Sequence, residues 1–126
     1  MKKRVLLAED DIGNMDVMRA ELDALGYEVT IAKNGLEAVE MATSNPPDLI
    51  VMDILMPRMD GFQAVSRIKQ NPKTKAIPIL AATCLAEPAD EQKCFKIGCD
   101  GYIAKPFTYK ELGAAIAKLL RVSSPD

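Results

Sequence analysis

At 126 residues and 13.7 kDa the chain is the length of one domain, able to bury a core without disulfides or a structural metal. Its net charge of −2 and pI near 5.2 leave no basic face to neutralise a phosphate backbone, which excludes direct nucleic-acid binding as an expectation. Cys84, Cys94 and Cys99 lack metal-ligand spacing and have no histidine to join them, so they are read as reduced, small apolar residues of a cytosolic protein.

The amino terminus, Met1-Lys2-Lys3-Arg4, is basic, but the apolar stretch behind it, Val5 to Ala8, is too short for a signal peptide. No run approaches the roughly 20 apolar residues of a membrane helix, so a cytoplasmic protein is expected. Val5 to Ala8 reads instead as a short buried strand, ending in the acids Glu9, Asp10 and Asp11. Met15, Met18, Leu22 and Leu25 recur at helical spacing up to Gly26, with Asp11 placed to cap that helix. Tyr27 to Ile31 alternates as a strand nearer the sheet edge. Asn34-Gly35 reads as a turn, and Leu36 to Thr43 as a short helix closed by Asn45-Pro46-Pro47.

Leu49 to Met52 runs without a polar break, the pattern of a strand covered on both faces, and Asp53 ends it. A Pro/Gly-punctuated loop follows, in which Asp60 and Gly61 are expected to shape the turn into a helix with Phe62, Val65 and Ile68 on one face. Ile77 to Ala82 is a strand around Pro78, ending at Thr83. Pro88 to Ile97 is a helix stopped at Gly98, and Tyr102-Ile103-Ala104 a strand ending in Lys105-Pro106. The last helix starts near Thr108, with Glu111 completing a capping box, and passes through Leu112, Ile116, Leu119 and Leu120. Strand and helix thus alternate five times, which predicts a doubly wound five-stranded parallel sheet over residues 3–121, followed by a flexible tail, 122–126.

Such sheets gather functional residues at the carboxyl ends of their strands. Here those ends carry Glu9 and Asp10, Asp53, Thr83 and Lys105. Carboxylates placed together repel one another unless a hard divalent cation resolves the repulsion, and Mg²⁺ accepts one or two of them while keeping waters. Asp10 and Asp53 are the natural direct ligands, with Glu9 direct or through water. A free Asp53 oxygen could attack phosphorus, while Lys105 as a point charge and the Thr83 hydroxyl as a donor share the charge on the phosphoryl oxygens.

Glu9-Asp10-Asp11, Asp53 with Met56-Pro57-x-Met59-Asp60-Gly61, Thr83, and Gly98-x-x-x-Tyr102-Ile103-x-Lys105-Pro106-Phe107 together resemble the receiver domain of two-component response regulators, from Lys3 to Arg121. The likeness is to single-domain regulators of chemotaxis and cell-cycle type and to the receivers of hybrid kinases. It implies a flavodoxin-like strand order 2-1-3-4-5 and Mg²⁺-dependent transfer from a kinase phosphohistidine to Asp53. It also implies a Mg²⁺ shell completed by the Leu55 main-chain carbonyl, a cis bond before Pro106, and a switch pair, Thr83 and Tyr102, that reshapes the face of the fourth helix, fifth strand and fifth helix. A sensor histidine kinase or histidine phosphotransfer protein would supply the phosphoryl group, and a downstream target protein would read it. The chain would be a monomer or a phosphorylation-dependent dimer, and no enzyme beyond its own phosphorylation and dephosphorylation. With no output domain after the last helix, it acts by docking or is part of something longer.

Apolar Leu55 and Leu85 flank the expected route of attacking water, so a long-lived phosphorylated form is expected. Among rivals, a haloacid-dehalogenase-type phosphatase would need a second Asp where Leu55 stands. A flavodoxin-type carrier would need backbone donors and hydroxyls where the acids stand. A phosphorylation-independent pseudo-receiver is the alternative, and the complete set of acids, Thr83 and Lys105 argues against it. Cys94 is read as inert packing rather than as a redox sensor.

Overall fold

The computed structural model describes residues 2–56, 59–84 and 87–123. Five strands and five helices alternate: β1 (Arg4–Ala8), α1 (Ile12–Ala24), β2 (Glu28–Ala32), α2 (Gly35–Ser44), β3 (Leu49–Asp53), α3 (Gly61–Gln70), β4 (Ile79–Thr83), α4 (Pro88–Ile97), β5 (Gly101–Ala104) and α5 (Tyr109–Ser123). All neighbouring strands pair in parallel, in the order β2-β1-β3-β4-β5. That is the predicted sheet.

The unbroken apolar runs explain which strands are central. In β1, β3 and β4 alternate side chains serve two cores, because successive residues of a strand point to opposite faces. Leu6, Ile50, Met52, Ile79 and Ala81 join residues of α2, α3 and α4 on one face. Val5, Leu7, Leu49, Val51, Leu80 and Ala82 meet α1 and α5 on the other. β2, with its alternating Glu28 and Thr30, lies at an edge, as its pattern predicts.

The caps hold where they were expected. Asp11 accepts from the Asn14 amide at 3.0 Å and Asp60 from the Gln63 amide at 2.9 Å. Thr108 and Glu111 exchange reciprocal bonds at 3.1 and 2.7 Å, a complete capping box. Asn34-Gly35 is a correction: it is a helix start rather than a turn. Asn34 Oδ1 accepts from the Glu37 amide at 2.9 Å, and α2 begins at Gly35. Asn-Gly suits both a turn and a cap, and the contact of Gly35 with the distant Met59 decides between them. α5 carries the helix through Ser123, and the rest of the expected tail, residues 124–126, lies outside the described residues. Among the described residues, no helix is long and apolar enough to cross a membrane.

Candidate functional site

The parallel register sets the site. Ala8 pairs with Met52, so Glu9, one residue on, comes level with Asp53. Asp53 pairs with Ala82, and Thr83 with Ala104, which brings Thr83 and then Lys105 to the same sheet edge. Residues far apart in sequence converge because every strand of a parallel sheet ends on the same side.

Glu9 and Thr83 are buried and Asp53 is only 7% exposed, while Asp10 lies open to solvent. One carboxylate oxygen each from Glu9, Asp10 and Asp53 can be chosen so that all three lie within 4.8 Å of one another. Lys105 Nζ donates to Glu9 Oε1 at 2.7 Å and stands 3.6 Å from Asp53 Oδ2. The Lys105 amide donates to the Thr83 carbonyl at 2.9 Å, fixing the start of that loop against β4. The Lys105–Pro106 bond is cis, as the motif implied.

These placements set the charges. Burial, then the hydrogen bond and charge of Glu9, push Asp53 up from 3.8 to about 7, against the opposing pull of Lys105 and of the Leu55 amide, which donates to Asp53 Oδ1 at 3.1 Å. Burial works against the charge of Lys105, but Glu9 and Asp53 outweigh it and leave the ammonium above the ordinary lysine value. Among the described residues, the resting site therefore carries more carboxylate than the Lys105 ammonium neutralises. A hard cation would relieve that excess, and the oxygen donors suit Mg²⁺.

Among the described residues, two backbone bonds hold the loop after Asp53. The Gly61 amide donates to the Ile54 carbonyl at 2.9 Å, and the Gly35 amide to the Met59 carbonyl at 3.1 Å. A Cβ on Gly35 would stand 2.0 Å from that carbonyl oxygen, so only glycine lets α2 approach this closely. This support is absent from the sequence reading, and the Asn-Gly pair is its only trace there. Leu55 exposes 52% of its surface beside the site. Pro57 of the loop motif and Leu85, its expected apolar counterpart, lie outside the described residues.

Tyr102 is half-buried on β5 and packs against the core that contains Cys94. Burial, followed by Cys94, Glu91 and Asp90 of α4, raises its phenol above the usual value.

The profile of the response regulator receiver domain matches residues 5–117. The chain belongs to that family. DivK, the polar-differentiation response regulator of Brucella anthropi, is 38% identical to this receiver over 108 residues, covering 86% of this chain and 88% of DivK. The DNA-binding dual master transcriptional regulator RpaA of Synechocystis is 35% identical over 118 residues, but these span 94% of this chain and only 49% of RpaA. The receiver thus covers about half the length of that regulator. The receiver domain of a sensor histidine kinase from Pseudomonas aeruginosa PAO1, solved with a magnesium ion coordinated in its active-site cleft, superposes with a TM-score of 0.90 at 34% identity, covering 96% of this chain and 99% of that one.

Proposed function

We propose that this receiver is a phosphoacceptor switch in which Asp53 takes a phosphoryl group from the phosphohistidine of a sensor kinase or histidine phosphotransfer protein. The observation that carries this reading is Asp53 itself, held at the end of β3 with Glu9 and Asp10 close by and Lys105 Nζ at 3.6 Å. Asp10 and Asp53, Glu9 directly or through water, and the Leu55 main-chain carbonyl would hold Mg²⁺, which when bound would offset charge on the acids and on the phosphoryl oxygens.

An Asp53 oxygen forms the new bond to phosphorus as the bond to the donor's imidazole nitrogen breaks. Lys105 places its charge against the phosphoryl oxygens, and Thr83, at the neighbouring strand end, donates its hydroxyl. As Thr83 is drawn to the phosphoryl group, Tyr102 repacks, and α4, β5 and α5 present an altered face to a target protein. The protein turns over no external substrate: it accepts and loses its own phosphoryl group. Its setting is the cytoplasm, where its donor and target meet it.

Incubation of the protein and Asp53→Ala with acetyl phosphate and Mg²⁺, followed by intact mass, tests the reading. A Mg²⁺-dependent adduct in the wild type alone is expected. No adduct under conditions that label another receiver would instead favour a module that binds partners without phosphorylation.

A further inference from the structure

Helix α4 ends in two reverse hydrogen bonds, from the Gly98 amide to the Phe95 carbonyl at 3.1 Å and from the Cys99 amide to the Cys94 carbonyl at 3.0 Å. Gly98 adopts a φ of 119°, which completes a Schellman end. In that motif the residue just past the glycine touches the residue whose carbonyl it binds, and the contact is ordinarily apolar. Here both positions are cysteine. Cys94 and Cys99 are 0% and 5% exposed and lie in the same core cluster, joined by that backbone bond. Inert packing accounts for each cysteine alone, but two buried thiols brought to one helix end by a backbone hydrogen bond can also form a covalent bond across the turn.

We propose that Cys94 and Cys99 form an oxidisable dithiol whose closure to a disulfide staples the last turn of α4 to the loop entering β5, a redox input separate from the chemistry of Asp53. The oxidant class is a small uncharged hydroperoxide, since a bulky disulfide cannot enter so closed a site. One sulfur attacks the peroxide; an S–O bond forms, the O–O bond breaks, and the departing hydroxide takes up the thiol proton as water. The second sulfur then attacks the sulfenic sulfur, forming S–S and breaking S–O, and a second water leaves. Two thiols and hydrogen peroxide thus give one disulfide and two waters, the sulfurs supplying both electrons.

Burial pushes the Cys99 thiol up to about 12 and raises Cys94 as well, so both stay protonated while α4 is docked. Closure therefore proceeds through local opening at the end of α4. The consequence falls on Tyr102, which packs against the same cluster.

The test uses the Cys84→Ser protein, which lacks the exposed thiol, exposed to hydrogen peroxide at a dose that fully oxidises Cys84 in the wild type. Remaining thiols are then alkylated in denaturant, and the mass and peptides read. The expected product is a monomer about 2 Da lighter, with no alkylated cysteine, a Cys94–Cys99 linked peptide, reversal by dithiothreitol, and slowed amide exchange from Cys94 to Tyr102. Cys94→Ser and Cys99→Ser in the same background should lose the linked peptide. Two alkylated thiols, separate sulfinic acids, or covalent dimers would overturn the proposal. Labelling of Asp53 in the reduced protein is scored separately, so either reading can fail without the other.

Discussion

Asp53 is under electrostatic strain in the metal-free protein, and that gives a prediction with a definite sign. The folded state raises it from 3.8 to about 7, so between those values the folded protein holds a proton that the unfolded chain releases. Stability attributable to this group is therefore highest below the lower value, falls as pH rises through the window, and reaches its full loss above the upper one. Asp53→Asn, neutral at every pH, should stabilise the chelated protein by about 1–3 kcal/mol at pH 8 and by progressively less toward pH 4, read from urea midpoints. An equal effect at both pH values would show that burial and Glu9 do not control the charge. Leu55, half-exposed beside the same carboxylate, is the apolar side chain expected to flank the route of attacking water. Leu55→Asn should speed the decay of acetyl-phosphate-labelled protein several-fold, and an unchanged decay would remove Leu55 from the account.

At the scale of elements, Gly35 sets two rules against each other. Alanine at the start of α2 gains about 1 kcal/mol in helix propensity. Its Cβ, however, would meet the Met59 carbonyl at 2.0 Å, and backbone at both ends leaves little room to yield. We expect the clash to win: Gly35→Ala should lose about 1–3 kcal/mol in thermal unfolding and slow Asp53 labelling, because the displaced loop carries Leu55 and Asp60. A gain in stability would mean that the loop follows α2 rather than resting on it. The same position marks where the sequence stops being legible. The buried strands, the Asp11 and Asp60 caps and the Thr108–Glu111 box were readable because their causes are local: apolar period, a carboxylate or hydroxyl, an acid three residues on. Asn34-Gly35 was misread as a turn because a residue beyond the next strand decides its use. Likewise Lys105 was legible as a member of the site, but its 2.7 Å bond to Glu9 was not, since charge pairing depends on how the strand ends meet.

That pairing governs the behaviour of the whole molecule. The acids come together only when the sheet is formed, so Mg²⁺ should bind the folded protein and scarcely the unfolded chain, coupling metal binding to global stability. At ten times its dissociation constant the ion should add about 1.4 kcal/mol, a rise in Tm of roughly 5 °C for a domain of this size. Lys105 competes for the same negative charge. Lys105→Met would leave the buried Glu9 without its ammonium, which predicts a metal-free protein less stable by about 3 kcal/mol. The same change removes a cation from beside the acids, so the variant should bind Mg²⁺ more tightly and show a larger rise in Tm on its addition. Scanning calorimetry of both proteins in chelator and in Mg²⁺ separates the two effects. A variant with lowered stability but an unchanged Mg²⁺ increment would mean that Lys105 supports the fold without tuning the acids.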